Sequence, residues 1–159
     1  PMGFRDGDGW VFCTCGNRHW GIHGAAGLLM VRLDLGAEPH VLLQLRAAWT
    51  HGGGTWAIPG GALDSHENSV EAAVREAYEE VGIDVRHLDV KDLYSDDHGN
   101  WRYDTVIAHV TGEIGAHEAN YESDEVRWVA LSDIEDYDLH PGLRNSWPHV
   151  LPLLTATLP

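Results

Sequence analysis

With 25 acidic against 10 basic side chains in 159 residues, the chain carries a formal net charge of −15, which repels nucleic-acid polymers and anionic membranes. The length suits one domain with a buried core, and no run of about eighteen apolar residues exists to cross a bilayer. The N-terminal residues lack the basic-then-apolar order of a secretory signal, so the expected setting is cytoplasmic and the expected partner is a small molecule.

Residues 1–24 are rich in Gly and Asp and read as irregular, with Trp10 and Trp20 expected to anchor them to the domain. Cys13-x-Cys15-x3-His19-x3-His23 has the residue types of a zinc knuckle, although its C-x-C gap is tighter than usual. The same pattern also fits two reduced thiols beside surface histidines. Cys13 and Cys15 are too close for a useful structural bridge, which agrees with a reducing compartment.

Gly24 to Leu33 predicts a buried strand and His40 to Leu45 a second, joined through a turn at residues 35–39. Residues 46–55 form a glycine-rich loop holding Trp49, and Trp56-Ala57-Ile58 is a short strand leading into the turn Ile58-Pro59-Gly60-Gly61. A helix follows, with Asn68 as its N-cap, Glu71 completing a capping box, and Gly82 as the left-handed residue that ends it. Val85 to Ser95 and Trp101 to Thr111 read as strands around a hairpin turn at residues 96–100. After a polar loop over residues 112–124, Glu125 to Ala130 is the last strand. Ser132 is expected to cap a short helical turn, and Pro141 and Pro148 to start C-terminal helical segments. Leu151, Leu153, Leu154 and Leu158 are then available to pack on the sheet.

The helix carries the chemistry. At 100° per residue Val70, Val74, Ala77 and Val81 form a narrow apolar stripe, with Glu76, Glu79 and Glu80 converging on the far side. Clustered carboxylates repel one another unless a cation sits among them. An all-oxygen set suits a hard divalent ion, Mg²⁺ or Mn²⁺, and such an ion would let an acidic protein accept a phosphorylated substrate.

Residues 61–83 resemble the Nudix box, G-x5-E-x7-R-E-U-x-E-E-x-G-U with U aliphatic. Gly61, Glu67, Arg75, Glu76, Ala77, Glu79, Glu80, Gly82 and Ile83 occupy its nine specified positions, Ala77 being a small choice for U. The resemblance implies an α+β Nudix fold, an α/β/α sandwich with a mixed central sheet and the catalytic helix packed against it. It covers a domain at 24–159 and leaves 1–23 as an N-terminal extension. It also implies Mg²⁺-dependent hydrolysis of a nucleoside diphosphate linked to another moiety X, with Mn²⁺ able to substitute.

Matched by position, Glu79 and Glu80 resemble the family's principal metal ligands and Gly60 its carbonyl ligand. Glu76 corresponds to a ligand in some members and a general base in others. Arg75 is expected to orient Glu79 or Glu67 by ion pairing, and Glu67 to support that arginine. Glu122, in a run resembling the nucleotide-pool-cleaning members, is the expected further ligand, with Glu125 the fallback.

The marks of other branches are missing: no proline stands between Pro59 and Pro141, and Asn100, Trp101 and Tyr103 match a tyrosine signature poorly. Elimination leaves a nucleoside triphosphate, an oxidised purine among the candidates, cleaved to monophosphate and pyrophosphate. Trp49, Trp101, Tyr103 and Asn120 are the candidate substrate-binding residues. Alternatives are a nucleotide sugar, a dinucleoside polyphosphate, or a non-catalytic Nudix-like module that binds a nucleotide or a protein. The last conflicts with the intact set of box glutamates. An isomerase acting on an isoprenyl diphosphate would call for a cysteine near the site. Family members are often homodimers, which is the expectation carried over here.

Overall fold

Alternation of side chains decides the architecture. The computed structural model describes residues 5–49, 53–83, 88–111 and 123–159. The central strand β3 (Ala25–Arg32) is buried along nearly its whole length. Leu28 and Met30 point into one core while Leu29 and Val31 point into the other, as successive strand residues must. Its neighbours β4 (His40–Arg46) and β8 (Arg102–Val110) divide in the same way. Leu42, Val106 and Ala108 join the first core, and Val41, Leu43 and Ile107 the second. A strand run apolar on both faces belongs inside a sandwich, and helix α1 (Ser69–Val81) and helix α2 (Pro141–Ala156) cover the two faces.

The sheet is mixed. Its strand order is β5-β4-β3-β8-β7, with β5 at Trp56–Ala57 and β7 at Leu88–Asp97. β3 and β8 run parallel, pairing Ala25 with Tyr103 through to Arg32 with Val110. The opposite edge of β3 is shared: β4 pairs with its end at Val31 and Arg32, and β6 (Gly60–Ala62) with its start at Ala25 to Gly27. β9 (Ser123–Ala130) completes the sheet antiparallel to β4. The sharing of one edge leaves the C-terminal half of β4 to pair with β5 at Gln44 and Leu45, and α1 packs over β3 and β6.

Four local readings are corrected. Residues 10–20 are not irregular: β1 (Trp10–Phe12) and β2 (Arg18–Trp20) form a separate two-stranded hairpin. Trp10 and Trp20 face each other across it, ring centroids 5.2 Å apart, and both are exposed rather than anchored in the domain. Ser132 leaves the turn at Leu131–Asp136 uncapped and instead donates through its N–H and hydroxyl to Glu38, at 2.8 and 2.9 Å. Pro148 lies inside α2, as does Pro152, and starts no second segment. An interior proline costs about 3 kcal/mol, and burial of Leu143, Trp147, Val150 and Leu154, at roughly 1.5–3 kcal/mol for a large apolar side chain, offsets it.

Candidate active site

Both ends of α1 are built as its sequence requires. The Asn68 side chain accepts from Glu71 N–H at 2.8 Å, and the Glu71 carboxylate accepts from Asn68 N–H at 2.9 Å. Gly82 ends the helix at φ 67°, a left-handed conformation that a Cβ disfavours. Ser69 extends the anchoring by donating its hydroxyl to Asp104 of β8, which also accepts from Ser95 at 2.7 Å.

The helix is rotated from the expected orientation. Ala72, Ala73, Ala77 and Val81 are fully buried, while Val70 and Val74 sit at the margin of the core. Glu80 is also buried, 5% exposed, and Glu76 lies one turn before it on the same face. The acidic stripe therefore faces the sheet, where β6 runs along the edge of β3. A Cβ on Gly61 would run into the Glu76 carboxylate, and one on Gly60 would meet Gly27 Cα at 2.7 Å and the Tyr103 hydroxyl at 2.9 Å. Gly60 and Gly61, expected as a turn, form this strand because only glycine leaves room for the carboxylate on one side and the sheet on the other.

The glutamates differ in their partners. Glu80 accepts from the Gln44 amide of β4 at 2.6 Å, both groups being buried. Glu76 and Glu80 lie close enough to influence one another's charge. Burial pushes the Glu76 carboxyl above the usual carboxylate range, against the lowering pull of Glu80 and Arg75. Glu79 is drawn aside, accepting from Arg75 at 3.0 Å and from Arg5 at 2.9 Å.

Arg75 uses its whole guanidinium. It grips Glu67 through two bonds, of 2.7 and 2.9 Å, and donates to Glu76 at 3.1 Å, Glu79 at 3.0 Å and the Ala62 carbonyl at 3.0 Å. These five bonds exhaust its donors. The hydrogen bonds from Arg75 hold the Glu67 carboxyl below its ordinary range, and Glu67 raises the affinity of Arg75 for its own proton. A three-residue group of Asp64, His66 and Glu67 also has metal-ligand types within reach of one another. Arg5 at 3.0 Å from Asp64 and Arg75 on Glu67 already supply positive charge there.

The remaining sequence candidates are dispersed. Tyr103 is half-buried with its hydroxyl tucked behind Gly27 and Gly60, and desolvation raises the proton affinity of that hydroxyl, with Glu80 adding to the effect. Trp101 stacks on His19 of the hairpin, with ring centroids 4.1 Å apart. Trp49 is 63% exposed just after β4. Glu125 lies on β9 and pairs with Arg127. Glu122 and Asn120 lie outside the described residues. Gln44, Asp64 and Arg5 are site neighbours that sequence reading missed. For Gln44 a signal existed: it is the one polar residue in the run Val41-Leu42-Leu43-Gln44-Leu45, and a buried amide needs a partner. Nothing comparable marked Arg5, which meets Glu79 across 74 positions of sequence.

Comparison with known proteins agrees with this geometry. Residues 22–150 match the model of the NUDIX domain family. The chain is 45% identical over 160 residues to "Putative 8-oxo-dGTP diphosphatase 3" of Mycobacterium tuberculosis, covering 97% of this chain and 73% of that protein. It is 44% identical over 148 residues to a nucleoside triphosphate pyrophosphatase/Nudix hydrolase fusion protein of Bifidobacterium longum, of which it spans 31%. Among solved structures, the Nudix hydrolase RenU of M. smegmatis superimposes with a TM-score of 0.86 at 45% identity, covering 96% of this chain and 98% of RenU. The glutamate-bearing helix, the glycine strand beside it and these likenesses together place the chain in the Nudix hydrolase family.

Proposed function

We propose that the chain is a Mg²⁺-dependent pyrophosphohydrolase acting on a nucleoside diphosphate linked to X, with nucleoside triphosphates, oxidised purines among them, cleaved to monophosphate and pyrophosphate. The observation that carries this is Glu76 packed against Gly61 with the buried Glu80 one turn further along the same face. The name of the Mycobacterium tuberculosis relative supports the substrate class. An all-oxygen donor set fits a hard divalent ion, with Mn²⁺ able to replace Mg²⁺. Glu76, Glu79, Glu80, the Gly60 carbonyl and Glu122 would hold it. When bound, the ion neutralises charge on the phosphate oxygens and makes a bound water easier to deprotonate.

The chain's own groups do the rest. Burial makes Glu76 a stronger base than a solvated carboxylate, so its carboxylate is suited to orient the attacking water and take its proton. Glu80 is held in one rotamer by Gln44, and Glu76 and Glu79 are steadied by Arg75. Trp49, exposed on the loop after β4, offers a flat face for a base. Trp101 and Tyr103 are engaged elsewhere and act as supports.

The test is a pyrophosphate- and phosphate-release screen over nucleoside triphosphates, oxidised purine nucleotides, nucleotide sugars and dinucleoside polyphosphates, with Mg²⁺ and with Mn²⁺. Release of pyrophosphate from triphosphates, lost to below about 1% in Glu80→Gln, is the expected result. Near-normal rates in that variant would remove Glu80 from the site. No turnover of any compound would overturn the enzyme reading in favour of a nucleotide-binding module. For the homodimer, light scattering should give twice the mass of the chain.

A further inference from the structure

The N-terminal hairpin holds a second cluster of metal-ligand types, chemically unlike the carboxylate groove. The register pairs Trp10 with Trp20, Val11 with His19 and Phe12 with Arg18. Alternation then puts Val11, Cys13 and His19 on one face and Trp10, Phe12, Arg18 and Trp20 on the other. At the turn, Cys13 N–H donates to the Asn17 carbonyl at 2.9 Å and Gly16 N–H to the Cys13 carbonyl at 3.0 Å, with Gly16 at φ 96°. This tight reversal brings Cys15 back over the strand ends. The Cys15 thiol lies 3.2 Å from His19 Nε2, and Cys15 N–H points at Cys13 Sγ at 3.5 Å. The donor atoms of Cys13, Cys15 and His19 all lie within 4.8 Å of one another.

We propose that Cys13, Cys15 and His19 bind a zinc ion that locks this hairpin closed and fixes it against the turn between β7 and β8. Tetrahedral zinc, with bonds of about 2.3 Å to sulfur and 2.0–2.1 Å to nitrogen, holds its donors roughly 3.5–3.8 Å apart. The Cys15 and His19 donors stand 3.2 Å apart, and no pair among the three exceeds 4.8 Å, so closing on the ion needs shifts of about 1 Å or less. Two thiolates and an imidazole select zinc over magnesium. The fourth position goes to water, because His23, included in the sequence pattern, stands outside the cluster. Binding forms two Zn–S bonds and one Zn–N bond, and the two thiol protons pass to solvent.

The surroundings suit a structural staple. Thr14 donates its hydroxyl to the carbonyl of His98 at 3.3 Å, and the Cys13 thiol donates to the same carbonyl at 3.1 Å, a bond given up when zinc takes the thiolate. Asn100 accepts from Thr14 N–H at 2.9 Å and donates to the Phe12 carbonyl at 3.2 Å. His19 lies flat on Trp101, their ring planes 11° apart. A metal bound to His19 Nε2 would order the hairpin and, through Trp101, the start of β8. The segment leading into the hairpin carries Arg5, so the staple also bears on the ion pair from Arg5 to Glu79.

The full chain, purified without a polyhistidine tag and stripped of metal, should be titrated with Co²⁺. A thiolate-to-cobalt absorption band saturating at about one equivalent, and erased by Zn²⁺, is expected. Zn²⁺ added in weak buffer should release about two protons per ion. Cys15→Ser, at an exposed position, should keep the far-UV circular dichroism of the parent while the band falls at least about fivefold. His19→Ala should weaken it likewise, and Glu80→Gln should leave it intact. The absence of a band in the reduced parent protein, or a band undiminished in Cys15→Ser, would overturn the proposal.

Discussion

Replacing Arg75 with methionine tests whether this guanidinium holds the carboxylate groove together. Methionine keeps much of the aliphatic length but leaves Glu67 with the Asp64 N–H, at 2.9 Å, as its other hydrogen-bond partner. The Glu67 side chain is 7% exposed and that of Arg75 is 18% exposed, so this pair is mostly shielded from water. Breaking a buried pair by removing one member costs about 3–5 kcal/mol. The residual exposure of Arg75 screens part of that, giving roughly 2–4 kcal/mol. For a domain of this size each kcal/mol shifts Tm by about 2–4 °C, so a fall of roughly 5–15 °C is expected at pH 7. The loss should also depend on pH. The folded state depresses the Glu67 carboxyl, so its contribution is complete above the unfolded value, about pH 4.3. That contribution disappears as pH falls through the lower folded value. Thermal melts followed by circular dichroism between about pH 3 and 7, with chelator present, should show the two proteins converging in acid. Equal Tm values at pH 7, or a gap that persists unchanged in acid, would refute the reasoning.

Further outcomes separate the roles of neighbouring residues. Gln44→Leu removes the amide that orients Glu80; the Mg²⁺ concentration for half-maximal turnover should rise about 10–100-fold, and an unchanged metal requirement would make Gln44 dispensable. Gly61→Ala forces a methyl group into the Glu76 carboxylate, so turnover should fall at least about tenfold as measured by pyrophosphate release. Gly82→Ala tests a different property of glycine: at φ 67° a Cβ costs about 1 kcal/mol, lowering Tm by roughly 2–4 °C while kcat stays at the parent value. A Gly82→Ala variant that loses activity without losing stability would show that the helix end does more than terminate.

Much of the molecule was legible along the chain because the signals are local. Asn68, Glu71 and Gly82 mark the ends of α1 through hydrogen bonds and a backbone angle that reach no further than three or four residues. The apolar run of β3, and that of β4 interrupted by Gln44, announce strands buried on both faces. Arg75 was expected to pair with Glu79 or Glu67, and it donates to both. The hairpin at residues 10–20 was hidden because its strands are only three residues long and Gly and Asp surround them. Pro148 misled because proline signals a helix start locally, while the apolar face of α2 is long enough to carry the helix through it.

What the sequence by itself determined is the list of chemical parts and their order: a capped helix, glutamates at i, i+3 and i+4, glycines before them and buried strands on either side. Tertiary structure alone decided what each part faces. The rotation of α1 turned Glu76 and Glu80 into the groove beside β6, although a helical wheel of the apolar residues had placed them away from the core. Gln44 of β4 then became the neighbour of Glu80, and Arg5 of the N-terminal segment that of Glu79. Periodicity records which side chains share a face, whereas burial of a carboxylate depends on which distant strand lies against that face. That is settled only when the sheet closes.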